Sequence, residues 1–410
     1  MLRTVTVLSL ALAAGVAAAG DWPRFRGPNG TGVADDPKTP TKWTKADVLW
    51  STPIPGVGHS SPVVVGDRVF LQSASAKGDK RLLVCVKASD GKVAWTREVD
   101  AQFGKIHKKN SLASSTPAAD AERVYACVWD GKGVSVYAYD FDGKKAWSTP
   151  LGDYDSQHGA GMSPVVVGGK VFVNFDQDGA AEVVALDAKT GEKKWSASRK
   201  AYRACTSTPI TRLLPDGKLE LVVSSTAGVA GYDPDTGNVN WKWDWKWAGG
   251  KQALRTVASA VMVGDAVVTA SGDGSGTRST VAVTPGPKSE LVWEKTKDTP
   301  YVPCPVAKGD HLYWIRDDGF ATCADAKTGN VVWSERVFSG GVSSSPILVG
   351  DVVLGIDEKG KAVAFKANPK ECEVVGESTV GETVFASPAA AGGKLFIRGG
   401  EHLFCIGKKK

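Results

Sequence analysis

Beyond its first twenty residues the chain has no run near the roughly 18 apolar residues of a membrane-crossing helix. Nor does any segment carry a convincing apolar stripe at helical spacing. Membrane-spanning helices and the α/β solenoids are thereby excluded. No pair of its seven cysteines has the C-x-x-C spacing of a metal knuckle. Excess charge is scarce as well: the formal net charge is +6, and three of those charges are the terminal Lys408, Lys409 and Lys410. No basic stripe remains, which excludes a nucleic-acid surface. Turn residues, by contrast, are abundant. The 47 Gly and 21 Pro make up about a sixth of the 410 residues and are spread evenly, as tight turns between short strands require.

The N-terminus reads as an address. Arg3 supplies positive charge, Val5 to Ala19 is apolar, and Ala17-Ala18-Ala19-Gly20 offers the small residues at which a signal peptidase cuts. Residues 1–20 are expected to be a cleaved signal peptide. No cysteine stands at the cut to take a lipid, so a periplasmic or secreted, monomeric protein without a transmembrane segment is expected. Cys85, Cys323 and Cys405 fall at one repeat position, where Ala185 and Gly231 stand in other repeats. A small apolar residue in a crowded strand accounts for them. The sequence does not pair Cys127, Cys205, Cys304 and Cys372.

Internal periodicity is the dominant signal. Trp50, Trp95, Trp147, Trp195, Trp241, Trp293 and Trp333 recur every 40–52 residues. Out of phase with them runs a second series: Ser61-Pro62, Thr116-Pro117, Ser163-Pro164, Thr208-Pro209, Cys304-Pro305, Ser345-Pro346 and Ser387-Pro388, with Ser259-Ala260 filling the one double gap. Within one period, Met162 to Val167, Lys170 to Phe175 and Glu182 to Asp187 are strand-like runs divided by Gly168-Gly169 and Asp178-Gly179, with a fourth run ending at Trp195. Four antiparallel strands per period make a propeller blade. The last unit stops at Gly407 without a fourth strand, whereas Val48 to Pro53 is a fourth strand with no blade before it. Joining the two completes an all-β, eight-bladed propeller over residues 48–410 and removes two open edges. Asp21 to Asp47 is then an extended strap on the ring.

Ala185-x-Asp187-x-x-x-Gly191-x-x-x-Trp195 resembles the tryptophan-docking motif of the pyrroloquinoline-quinone (PQQ) repeat family. Cys323, Asp325, Gly329 and Trp333 follow it, as do Gly231, Asp233, Gly237 and Trp241. Together with Asp21-Trp22-Pro23-Arg24-Phe25-Arg26-Gly27-Pro28-Asn29-Gly30, the chain is similar to exported quinoprotein-like propellers related to BamB and to quinoprotein dehydrogenases. The resemblance implies that the seven tryptophans are structural, each stacking on the next blade. It also implies that a cofactor-using member would carry a vicinal cysteine pair and a calcium site with a carboxylate base. The chain has no adjacent cysteines. Its acidic runs at Asp176, Asp178, Asp317, Asp318, Asp357 and Glu358 sit where hairpin turns suffice to explain them. No PQQ, calcium or other metal is therefore assigned, and no catalytic residue.

Aligned on the second series, the segments leading into each blade present polar, aromatic and cationic side chains at the channel mouth. These are His59, Lys109 and Asn110, Gln157 and His158, Tyr202 and Arg203, Gln252 and Arg255, and Tyr301. Trp245 and Trp247 extend the Trp241-x-Trp243 alternation toward the same mouth, as an aromatic cover or as a stacking platform. His59, His107 and His158 lie in three blades, while His311 and His402 align with ordinary strand positions. The expected function is a non-catalytic, exported scaffold binding a protein or peptide, in envelope or outer-membrane protein assembly. A PQQ-dependent dehydrogenase and a carbohydrate-binding propeller are the alternatives.

Overall fold

Gly168 and Gly169 show how the blades are made. Both take positive φ, 58° and 71°, as a two-residue hairpin turn demands, and they place Val167 opposite Lys170. The blade so begun runs Val165–Val167, Lys170–Asp176, Ala180–Asp187, Lys193–Lys200, with its innermost strand nearest the ring axis. In this computed structural model, which describes residues 20–34, 36–245 and 253–409, the pattern recurs eight times. The expected signal peptide, apart from Gly20, lies outside the described residues. None of the described helices is long and apolar enough to cross a membrane.

Closure follows the chain ends as the sequence predicted. Val48–Pro53 is the outer strand of blade eight, antiparallel to His402–Ile406 with Trp50 opposite Cys405. The same face-to-face position explains the small residues in the repeat. Cys85 faces Trp95, Ala185 faces Trp195, Gly231 faces Trp241 and Cys323 faces Trp333 across each outer strand pair. All seven cysteines are free.

The Ser/Thr-Pro series forms a girdle around the channel. At seven junctions the backbone N–H of the series residue donates to the side chain of its counterpart in the next blade, at 2.9–3.1 Å. The donors and acceptors run Ser61 to Thr116, Thr116 to Ser163, Thr208 to Ser259, Ser259 to Cys304 Sγ, Cys304 to Ser345, Ser345 to Ser387 and Ser387 back to Ser61. A side-chain acceptor on Cβ at each step lets short inner strands close a ring without open N–H groups.

Residues 20–34 do more than lie on the ring. They enter the channel from the end where first and second strands turn. Gly20 bonds Gly392, and Trp22 exchanges both backbone bonds with Val64. Pro23 accepts from Ala119, Asn29 holds the backbone of Thr211, and Val33–Ala34 pairs in parallel with Ile347–Val349. The segment thus covers inner edges in blades eight, one, two, four and seven, which would otherwise be unpaired strands. It then leaves past blade seven, where Trp43 bonds Ser378 and Thr379, and becomes the closing strand.

Candidate functional site

The mouth lies at the opposite end, where the lead-in segments and the second hairpin of each blade meet. A long lead-in, residues 101–112, reaches over it from blade two. His107 N–H donates to His158 O, Asn110 Nδ2 to His158 O and Ala160 O, and Lys109 Nζ meets Glu358 Oε1 of blade seven at 2.7 Å. Asn110 is thereby a staple of this loop to blade three, with its amide spent on backbone carbonyls.

Five of the residues picked from the sequence, Gln157, His158, Arg203, Arg255 and Tyr301, come together on the side of blades three to six. Gln157 Oε1 accepts from Arg255 Nη2 at 2.9 Å and from Arg203 Nη2 at 3.2 Å. Two cations thus converge on one neutral oxygen. Asp178 stands 4.0 Å from Arg255 Nη1, but its carboxylate already accepts the backbone N–H of Gln157 and of Ala204. His158 lies against His107, ring centroids 4.8 Å apart. Loss of hydration, with Arg255, His107 and Arg203 close by, pulls His158 down to about 4, so it is neutral at pH 7. Tyr301 completes the patch: Arg278 lies over its ring at 5.1 Å and its N–H donates to Asp317. Burial pushes its hydroxyl up, which keeps it a hydrogen-bond donor.

The others part from this patch. His59 is across the mouth, stacked on Phe385 at 4.4 Å with 13° between the rings, and burial pulls it down to about 4. Trp245 corrects the platform reading. It is only 6% exposed, donates Nε1–H to Ser225 O, meets Trp243 edge-on and packs with Ile210 and Ala260. The alternation that put it beside Trp241 also carried it into the core between blades four and five. Trp247 and Gln252 lie outside the described residues.

Six tryptophans reach the next blade by an Nε1–H bond to a carbonyl: Trp50 to Ala88, Trp95 to Phe141, Trp147 to Ala188, Trp195 to Pro234, Trp293 to Ala326 and Trp333 to Asn368. A Cβ on Gly91, Gly143, Gly191, Gly237 or Gly329 would stand 2.6–2.8 Å from the indole resting there. Trp241 also packs with Val267, Val281 and Val283 of blade five, but blade five has no such glycine turn, and the Trp241 Nε1–H donates to Glu220 of its own blade at 2.8 Å.

The acidic turns are occupied by protein donors. Asp317 accepts from Tyr301 and Val302, Asp357 from Lys359 and Lys361, and Glu358 from Lys109 and Ser343. Glu382, Glu401 and His402 bring three ligand atoms within 4.8 Å of one another. Glu382, however, already holds the His402 ring and the backbone N–H of Glu401 and His402. Asp178 and Arg278 are the members of the patch that the sequence reading did not place at the mouth; they read as ordinary turn and strand residues.

A family profile described as outer membrane protein assembly factor BamB matches residues 42–198, 132–296 and 278–408, overlapping windows that span the ring. BamB of Burkholderia pseudomallei (strain K96243) is 23% identical over 342 residues, 82% of this chain and 81% of that protein. A polyvinylalcohol dehydrogenase of Pseudomonas sp is 28% identical over 188 residues, 42% of this chain and 26% of that protein. Among solved structures, BamB from Moraxella catarrhalis superposes with a TM-score of 0.62 at 13% identity, covering 88% of this chain and 99% of that one. A quinohemoprotein alcohol dehydrogenase from Comamonas testosteroni gives 0.65 at 14%, covering 96% and 82%. At such identities the structural likeness shows the fold alone.

Proposed function

The chain belongs to the family of the outer membrane protein assembly factor BamB, and from that premise we propose that it is a non-catalytic scaffold of the cell envelope, holding a polypeptide partner at the channel mouth. One observation carries the reading: Arg203 and Arg255 converge on the single amide oxygen of Gln157, beside Tyr301 and His158. Planar guanidiniums aimed at one place suit a carboxylate, and a flanking tyrosine supplies the amphipathic contact common at protein interfaces. An acidic side chain or a chain terminus of a bound peptide is the matching group. Envelope placement rests on the family and on the first twenty residues.

The residues present do not fit a quinone with calcium. Stacking would need an exposed aromatic face where Trp245 is packed away. A hard cation would need carboxylate oxygens that here serve backbone N–H groups and Lys109. No step is derived through that group.

The test pairs two assays on the mature chain. Labelled acidic peptides are titrated against wild type and an Arg203→Ala, Arg255→Ala double variant. Dye reduction is followed with added PQQ, calcium and a panel of alcohols. The expected result is peptide binding weakened tenfold or more in the variant and no dye reduction. Equal binding by the variant, or quinone-dependent turnover, overturns the reading.

A further inference from the structure

The end of the channel away from the mouth carries a charge that its surroundings do not answer. Arg24 and Arg26, on the segment that fills this end, are 6% and 1% exposed. Each spends Nη2 on a girdle carbonyl, Arg24 on Pro209 O of blade four and Arg26 on Pro305 O of blade six. Arg26 Nη2 also reaches Thr31 O at 3.1 Å. The Nε of Arg24 and both Nε and Nη1 of Arg26 are buried without an oxygen acceptor, Arg26 having only the weakly accepting thiol of Cys304 beside it. Among the described residues no carboxylate forms an ion pair with either one. Burial pulls Arg24 down to about 9, still above neutral pH, so it remains a cation.

Arg81 shows that this chain can satisfy a buried arginine when nothing else is needed. It is 2% exposed, and its Nε, Nη1 and Nη2 donate to Trp129 O, Gly78 O and Gln102 O at 2.8–3.0 Å. Arg24 and Arg26 are left half-served by comparison. Glycines let the guanidiniums pack close to the segment's own backbone: a Cβ on Gly32 would stand 2.6 Å from Arg26 Nη2, and one on Gly30 3.1 Å from Arg24 Nη2. At the same level the girdle hydroxyls, such as Ser259 between blades four and six, accept N–H bonds and keep their own protons to donate. Buried charge of one sign, with spare N–H donors and hydroxyls around it, calls for an opposite charge. The strap on one side and residues 101–112 on the other exclude anything large.

We propose that the channel holds a small inorganic anion of halide type, bound by the free N–H groups of Arg24 and Arg26 beneath the Ser/Thr girdle. The ion neutralises the arginines that anchor the N-terminal segment, so docking of that segment depends on it. Carboxylate-bearing ligands are left to the mouth, and this site does not rest on the function proposed for it.

Crystals of the mature chain grown in bromide, measured above the bromine absorption edge, test this without a variant. An anomalous peak in contact with the guanidinium nitrogens of Arg24 and Arg26 is expected. Peaks only at the outer surface, or only ordered water beside the two arginines, overturn the proposal. In solution the unfolding temperature should rise saturably when chloride replaces gluconate at constant ionic strength, and Arg26→Gln should abolish the rise. An equal rise in that variant also overturns it.

Discussion

At the scale of the residue, the mouth histidines differ from their solvated kind because of what surrounds them. His59 lies against Phe385, and loss of hydration, aided by the charge of Arg398, pulls it down to about 4; Glu358 and a bond to the backbone of Lys109 oppose this only in part. In the unfolded chain the ring takes a proton near pH 6.5. Between that pH and about 4 the unfolded state therefore binds the extra proton, and stability falls as pH is lowered through this window. The loss should be on the order of 2–3 kcal/mol. Urea unfolding midpoints of wild type and His59→Asn at pH 7 and pH 5 check this. The acid-side decline should be shallower in the variant, and parallel declines would assign it to other groups. The position of His59 at the mouth was legible from its spacing before Ser61-Pro62. Its partner Phe385 was not, because that residue is far away in sequence and adjacent only through ring closure.

At the scale of the element, the unit of cohesion is one indole joining two blades. Trp147, 8% exposed, lies over the turn at Gly191 and donates to Ala188 O. Asp187 fixes that turn by accepting the N–H of Lys189 and Thr190. Trp147→Ala should cost about 3–5 kcal/mol in chemical unfolding, with Trp147→Phe recovering most of it apart from the lost N–H bond, about 1 kcal/mol. A cost below about 1 kcal/mol would show that the blades cohere by other means. The motif was plain in the sequence because four residue types recur at fixed spacing. Trp241 escaped because the exception lies in its neighbour: blade five replaces the glycine turn, and the indole turns back to Glu220. The N-terminal segment was recognisable as an ordered strap from its Pro and Gly. That Arg24 and Arg26 reach Pro209 and Pro305 depends on contacts 185 and 279 residues apart, which no local pattern encodes.

At the scale of the whole molecule, eight like sheets become a closed ring because the first strand of the propeller is spent on the last blade. Strand count, turn chemistry and the mismatched chain ends together made that architecture legible. The mouth patch was half legible. Alignment on the girdle residues placed the lead-in segments at one end, yet it could not say that Arg203 and Arg255 would share Gln157 while His59 faced away. With one channel end filled by residues 20–34 and loop 101–112 over the other, the rim of blades three to six is where the proposed polypeptide partner would bind. The most direct measurement is photo-crosslinking in intact envelopes of producing cells. A benzophenone side chain is placed at Tyr202, 44% exposed beside Arg203, or at Leu213, 69% exposed at the far end of the same blade. Discrete adducts from position 202, lost when Arg203 and Arg255 are changed to alanine, are the predicted result. Adducts from position 213 with none from 202 would contradict it.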